Sequence, residues 1–331
     1  MKRALSTIMS TMLITIMSYG QDIQYAQYYA APLYLNPALA GVSDGSRLIF
    51  NYRSQWASLP SAFTSSSVSY DINLYNVNSG VGVVMNYDKA GSGGLRTITF
   101  GGVYSYDLQV RRNLSIRAGV GLWYNQRNID WSKLQFNDQL VSGNETSYES
   151  AYDMEDTRYF DIPLGIIMYG EWYWVGYSIY HVNTPNYSLV GMESMLDPRH
   201  TVHAGVRMVT KMSRNNQVEQ SLFFSANYKA QNKWDQFDIG AYYFMDPVFI
   251  GLWYRGLPGL KSYESGYSNQ DAVVLMGGVK VKKLKFIYSY DITTSDLWQN
   301  TGGSHEISVT LEHYKKRTKR KRRLRLKCPD F

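Results

Sequence analysis

Along most of this chain, apolar and polar residues change places at every step. After Asn113, Leu114, Ile116, Ala118, Val120, Leu122 and Tyr124 fall on one face, while Ser115, Arg117, Gly119, Gly121 and Asn125 fall on the other. Successive side chains of a strand point to opposite faces, so this run has one oily and one polar side. The register returns at Leu48/Phe50/Tyr52, Ile98/Phe100/Tyr104/Tyr106/Leu108, Val202/Ala204/Val206/Met208, Leu222/Phe224/Ala226/Tyr228, Leu284/Phe286/Tyr288/Tyr290 and Ile307/Val309/Leu311. The opposing positions carry Arg47, Asn51, Arg53, Thr97, Thr99, His203, Arg207, Ser225, Asn227, Lys285 and Asp291. A soluble sandwich also alternates. A whole chain of long alternating strands with 29 Tyr and 8 Trp predicts an all-β transmembrane β-barrel of the outer-membrane kind.

About fourteen antiparallel strands are expected, near 46–57, 62–73, 79–88, 95–108, 113–126, 158–169, 171–181, 199–211, 218–230, 235–245, 247–255, 271–281, 283–292 and 304–314. Many have the ten or so residues that a tilted strand needs to cross a bilayer. Single-chain bacterial barrels close with even numbers, both termini in the periplasm, short turns inside and long loops outside. The long connections, 127–157, 182–198, 256–270 and 293–303, all follow odd-numbered strands of this set. Short ones, at 110–112, Gly170, 213–216, Asp246 and Lys282, follow even-numbered strands. Strand pattern and loop parity therefore agree.

Three segments lie outside the predicted barrel of residues 46–314. Residues 1–20 read as a signal peptide: Lys2 and Arg3 precede a mainly apolar run, and Ser18 and Gly20 suit a cleavage site near Gly20. The run is too short and serine-rich to span a membrane as a helix, and no later stretch stays apolar long enough. Residues 21–45 carry Tyr25, Tyr28, Tyr29, Tyr34, the Asn36-Pro37 pair and Gly41 without strand periodicity. They are expected either to enter the lumen or to lie across its periplasmic mouth. Residues 315–331 form a basic tail.

The formal charge of +7 belongs to that tail. It holds ten of the 34 Lys and Arg, two more lie in the first three residues, and Asp330 is one of 27 acids. The remaining chain has 22 basic against 26 acidic residues and is mildly acidic. In a cytosolic protein such a run would suggest nucleic acid, but an exported barrel meets none in the periplasm. Two readings stand: a solvated tail whose charges repel one another, or a strip, including Lys319, Arg320, Arg322 and Arg323, that docks an acidic periplasmic partner or anionic lipid headgroups.

No catalytic, cofactor or metal site is expected. The single Cys328 excludes an internal disulfide and a Cys-based zinc site. His200 and His203, three apart on a strand, face opposite ways, as do His305 and Glu306. Glu193, Asp197 and His200 at a loop-to-strand junction are the one acid–base group a hydrolase could use, and they read more simply as solvated loop charges. No nucleophile elbow, zinc helix or phosphate loop occurs. The Gly-x-Gly steps at Gly80-Val81-Gly82 and Gly119-Val120-Gly121 lie within strands and read as relief of crowding. Lumenal Arg47, Arg53, Arg117 and Arg207 would either select anions in an open pore or pair with acids such as Asp71 and Asp291, or with the N-terminal segment, to fill the interior. A small lumen favours filling.

The chain also resembles a known family. The match begins at Gln24-Tyr25-Ala26-Gln27-Tyr28 and runs through Pro32-Leu33-Tyr34-Leu35-Asn36-Pro37-Ala38 to Gly41, followed by Tyr52-Arg53-Ser54-Gln55-Trp56. Later come Tyr104-Ser105-Tyr106, Arg199-His200, Tyr254-Arg255-Gly256, Tyr288-Ser289-Tyr290-Asp291, Gly303-Ser304-His305-Glu306-Ile307 and Cys328-Pro329. These pieces are similar, in order, to the PorP/SprF outer-membrane proteins of the Bacteroidetes type IX secretion system. The resemblance implies a non-enzymatic barrel that helps secrete or anchor a cargo protein, in gliding relatives a large adhesin. It implies periplasmic ring lipoproteins as further partners, beside outer-membrane lipid. Asn36, Pro37, Arg53, Gln55, Trp56, Ser304, His305 and Glu306 match its motifs and become candidate partner-binding or architectural positions. A passive outer-membrane channel for small hydrophobic or anionic solutes is the alternative.

Overall fold

In a computed structural model the alternating pattern becomes a wall one residue thick. The structure describes residues 22–314 except 60–61, 92, 135, 144–155, 191–192, 214–217, 258–269 and 295–301. The stretches 1–20 and 315–331, read above as signal peptide and basic tail, lie outside the described residues, as do Lys319, Arg320, Arg322 and Arg323. On the first strand Arg47, Asn51 and Arg53 are buried toward the interior, while Leu48, Phe50 and Tyr52 are exposed on the outer surface. For a barrel in lipid that arrangement is favourable, because its outer face meets hydrocarbon and its interior does not. Among the described residues no helix is long and apolar enough to cross a membrane; the crossing elements are strands.

The strands are β1 (Gly45–Gln55), β2 (Phe63–Leu74), β3 (Ser79–Ala90), β4 (Leu95–Arg111), β5 (Leu114–Asn128), β6 (Thr157–Asp161), β7 (Leu164–Tyr169), β8 (Tyr173–Tyr180), β9 (Arg199–Met212), β10 (Val218–Gln231), β11 (Trp234–Met245), β12 (Val248–Gly256), β13 (Gln270–Val281), β14 (Leu284–Thr293) and β15 (Ser304–Tyr314). Each pairs antiparallel with its neighbours, and β1 closes the sheet on β15 in unbroken register from Gly45↔Tyr314 to Gln55↔Ser304. Closure leaves no sheet edge to face lipid. One expected strand, 158–169, is instead two segments: β6 and β7 both pair with β5 and share one of the fourteen positions around the barrel. The break falls at Ile162-Pro163. Proline has no N–H for the ladder, but its carbonyl still accepts from the Gly121 amide at 2.8 Å.

Residues 22–44 fold inside the barrel. Three short helical turns, Tyr28–Ala30, Pro32–Leu35 and Pro37–Leu39, carry the chain from the long-loop end, where Asp22 sits, to the short-turn end, where β1 begins. Leu33, Ala38, Leu39 and Ala40 are fully enclosed. The lumenal face is therefore not uniformly polar. Tyr28, Tyr29, Leu35 and Leu39 pack against lumen-facing Phe223, Tyr242, Phe249, Trp253, Val274 and Ile287, so apolar residues occur on both faces of β10 to β14 wherever the internal segment covers them.

Candidate functional site

The internal segment is held at three levels. Near the short-turn end, Ser105 Oγ and Arg117 Nη1 donate to the Ala40 carbonyl at 2.7 and 2.8 Å. The Gly41 amide donates to Asp71 at 2.8 Å, and Asp71 also pairs with Arg47 at 3.0 Å. Asn73 donates to the Gly41 carbonyl at 2.6 Å. These bonds answer backbone groups that have no ladder partner in a buried, non-strand segment.

Halfway up, Asn36 is fully buried and its side chain does the work of a turn. Its Oδ1 accepts from the Ala38 amide at 2.9 Å; its Nδ2 donates to the carbonyls of Ile166 and Tyr177 at 3.1 and 3.2 Å and lies 3.1 Å from His203 Nε2. Pro37 opens the next helical turn, where a missing N–H leaves nothing unsatisfied. The wall opposite is glycine: a Cβ on Gly165 would overlap the Asn36 side chain, and one on Gly119 would overlap the Ala38 backbone. Across the lumen, Arg53 bridges Glu306 (3.3 Å) and Asp291 (2.8 Å), and Arg255 joins Asp291 (3.1 Å) to Asp238 (2.9 Å). Glu306 in turn accepts the amides of Ala26 and Gln27 at 2.6 and 3.0 Å.

At the long-loop end the segment's first residue is latched. Asp22 lies 2.9 Å from both His181 Nε2 and Arg199 Nη1. His181 Nδ1 stands 3.0 Å from Asp161, and the Arg199 guanidinium covers the rings of Tyr34 and Tyr180 at 4.8 and 4.2 Å. Burial would lower the His181 pKa, but the Asp22 and Asp161 carboxylates outweigh it and push it up to about 9. Burial would raise the Asp22 carboxyl, but the charges of His181 and Arg199 hold it well below the usual carboxylate range. Above this latch opens a cup of about 590 Å³, floored by Asp22 to Gln24 and walled by Gln55, Trp56, Phe63, Asp88, Trp123, Arg127, Tyr187 and Trp234 among others.

The candidate residues divide accordingly. Arg53, Gln55, Ser304 and Glu306 meet across the β1–β15 seam, where Arg53↔Glu306 and Gln55↔Ser304 are register partners. Gln55 and Trp56 continue into the cup, and the Trp56 amide donates to Gly303 at 2.9 Å. Asn36 and Pro37 stand against β5, β7 and β8. His305 points outward and lies 2.7 Å from the Tyr288 hydroxyl, away from Glu306. Glu193, Asp197 and His200 form no acid–base group: His200 faces outward beside Tyr177 OH at 2.7 Å, while Asp197 accepts from Asn232 at 2.6 Å. Among the described residues no cluster of His, Cys, Asp or Glu is placed to hold a metal ion. Of the Asp22–His181–Arg199 latch only Arg199 falls in a motif piece; its link to Asp22 and His181 has no sequence signal, since His181 and Arg199 lie 159 and 177 residues from Asp22 in the chain.

A closed barrel with an apolar outer face, a bonded internal segment and its long loops at one end defines the class: an outer-membrane β-barrel. The chain belongs to the type IX secretion system membrane proteins PorP/SprF, whose family model matches residues 17–311. A search of the curated proteins finds no match. Among solved structures the chain is similar to the Acinetobacter baumannii outer-membrane protein Omp33 (8% identity, TM-score 0.46, covering 82% of this chain and 100% of that one). It is likewise similar to the CymD monoaromatic hydrocarbon channel (13%, 0.45, 87% and 94%) and the Pseudomonas putida toluene transporter TodX (10%, 0.45, 85% and 91%).

Proposed function

We propose that this outer-membrane component of the type IX machinery is a non-enzymatic recognition partner, which helps secrete or anchor a cargo protein such as an adhesin, and that no cargo passes through its lumen. The observation that carries the reading is the internal segment. Residues 22–44 bond or pack to β1, β2, β4, β5 and β7 to β15, which encircle them. A filled barrel has its ends left for work. By the rule that long loops face outward, the cup and loops look to the cargo, and the short turns with the basic tail look to periplasmic ring components.

The discriminating experiment is conductance in planar bilayers. Purified full-length barrel is expected to stay silent across a range of voltages. Steady open-pore current would overturn the reading in favour of a channel for small hydrophobic or anionic solutes.

A further inference from the structure

Two charges in the cup are left over from every network described above. Asp88 on β3 accepts a hydrogen bond from Ser65 Oγ, and Arg127 on β5 donates to the Tyr187 carbonyl at 3.3 Å with its guanidinium 4.6 Å above that ring. Among the described residues neither has an ion-pair partner. Registry places them in one row of the wall: Ser65↔Asp88, Asp88↔Thr97 and Thr97↔Arg127 are successive partners. With one strand between them their backbones lie about 10 Å apart, and their side chains turn to Ser65 and Tyr187 rather than to each other, close enough for one ligand to bridge them. The other cup charges, Asp22, Asp161, His181 and Arg199, are occupied with one another.

Half-enclosed charges without counter-ions are unfavourable unless something completes them. Here a carboxylate and a guanidinium face one cavity whose remaining wall includes the rings of Trp56, Phe63 and Trp123. Its volume is within the range of ligand sites and holds two or three side chains. We infer that the cup is a docking site for an extended peptide of a partner protein that presents one cationic side chain to Asp88 and one carboxylate to Arg127, with an apolar or aromatic side chain between them against the rings. This deepens the proposed function and rests on it: it names the chemistry by which the long-loop end would recognise cargo. The cup lies at the end that faces outward by the barrel rule, and residues 22–24 form its floor.

The test is calorimetric titration of detergent-solubilised, full-length protein with synthetic nine-residue peptides. One carries Lys, Trp and Glu at alternate positions, so all three side chains share a face of an extended strand. Companions carry two Lys, two Glu or no charge. The mixed-charge peptide is expected to bind most tightly, with Asp88→Asn and Arg127→Gln each weakening it roughly tenfold and leaving the uncharged peptide unaffected. Heat-modifiable migration in gels confirms that each variant barrel is closed. Equal binding of all four peptides, no binding of any, or indifference to both substitutions would overturn the site. The reading it rests on fails separately, by normal cargo display in cells lacking the gene.

Discussion

Glu306 of the last strand and Arg53 of the first face each other across the closing seam, 3.3 Å apart, and the same carboxylate holds the amides of Ala26 and Gln27. One side chain thus ties barrel closure to seating of the internal segment. Glu306→Ala removes one partner of a buried pair and strands two amides, so it is expected to destabilise the protein by about 3 kcal/mol. Urea denaturation in detergent micelles, followed by tryptophan fluorescence, reads this as a lower midpoint. An unchanged midpoint would mean that the seam does not depend on the pair.

The internal segment needs glycine on the wall beside it. Gly119→Leu would place a side chain where the Ala38 backbone lies, and Gly165→Leu one where Asn36 lies. Both variants are expected to keep a closed barrel, because the ladders flanking these positions are intact, but to displace the segment. Bilayer recordings should then show current that the unaltered protein lacks. Silent variants with a native fluorescence spectrum would show that the wall yields instead.

The latch is pH-dependent from both sides. His181, with its pKa raised to about 9, stabilises the seated segment fully below its ordinary value of 6.5, and that contribution is lost as pH rises toward 9. Asp22, lowered by His181 and Arg199, contributes fully above its ordinary 3.8, and its share is lost as pH falls through its lower folded value. A spin label at Ile23→Cys in a Cys328→Ser background is expected to be most immobile between about pH 4 and 6.5 and to loosen toward pH 9. His181→Gln should abolish the alkaline loosening. Alkaline loosening that survives the substitution would assign it to another group.

Deleting residues 315–331 removes ten cations and leaves every described strand in place. If the tail docks an acidic periplasmic partner, pull-down of ring components should fall on deletion, and raising salt should weaken the intact protein's association in the same way. Recovery unaffected by either change would assign the tail a solvated role.

The wall was legible because its code is local. Arg47, Asn51 and Arg53 against Leu48, Phe50 and Tyr52 specify a strand's two faces whatever surrounds it, and lipid outside makes the assignment unambiguous. Pro163 was in plain view inside the expected strand 158–169, yet what it changes, one carbonyl-only contact to Gly121 between two short ladders, depends on the neighbouring strand. The internal segment was harder. Tyr25, Tyr28, Leu33 and Leu39 are buried by contacts from all sides, so they need no period, and sequence left open whether they enter the lumen. Asp22 and His181 are joined only by the fold. Asp88 and Arg127 lie on different strands 39 residues apart, and only the register places them in one row of the wall with one strand between them.

The central claim is that this barrel serves particular cargo rather than conducting solutes, and quantitative proteomics of the culture medium and cell surface, with and without the gene, tests it most directly. The account predicts loss of one or a few adhesin-like proteins, restored by the intact gene. No change in any secreted or surface protein would contradict it.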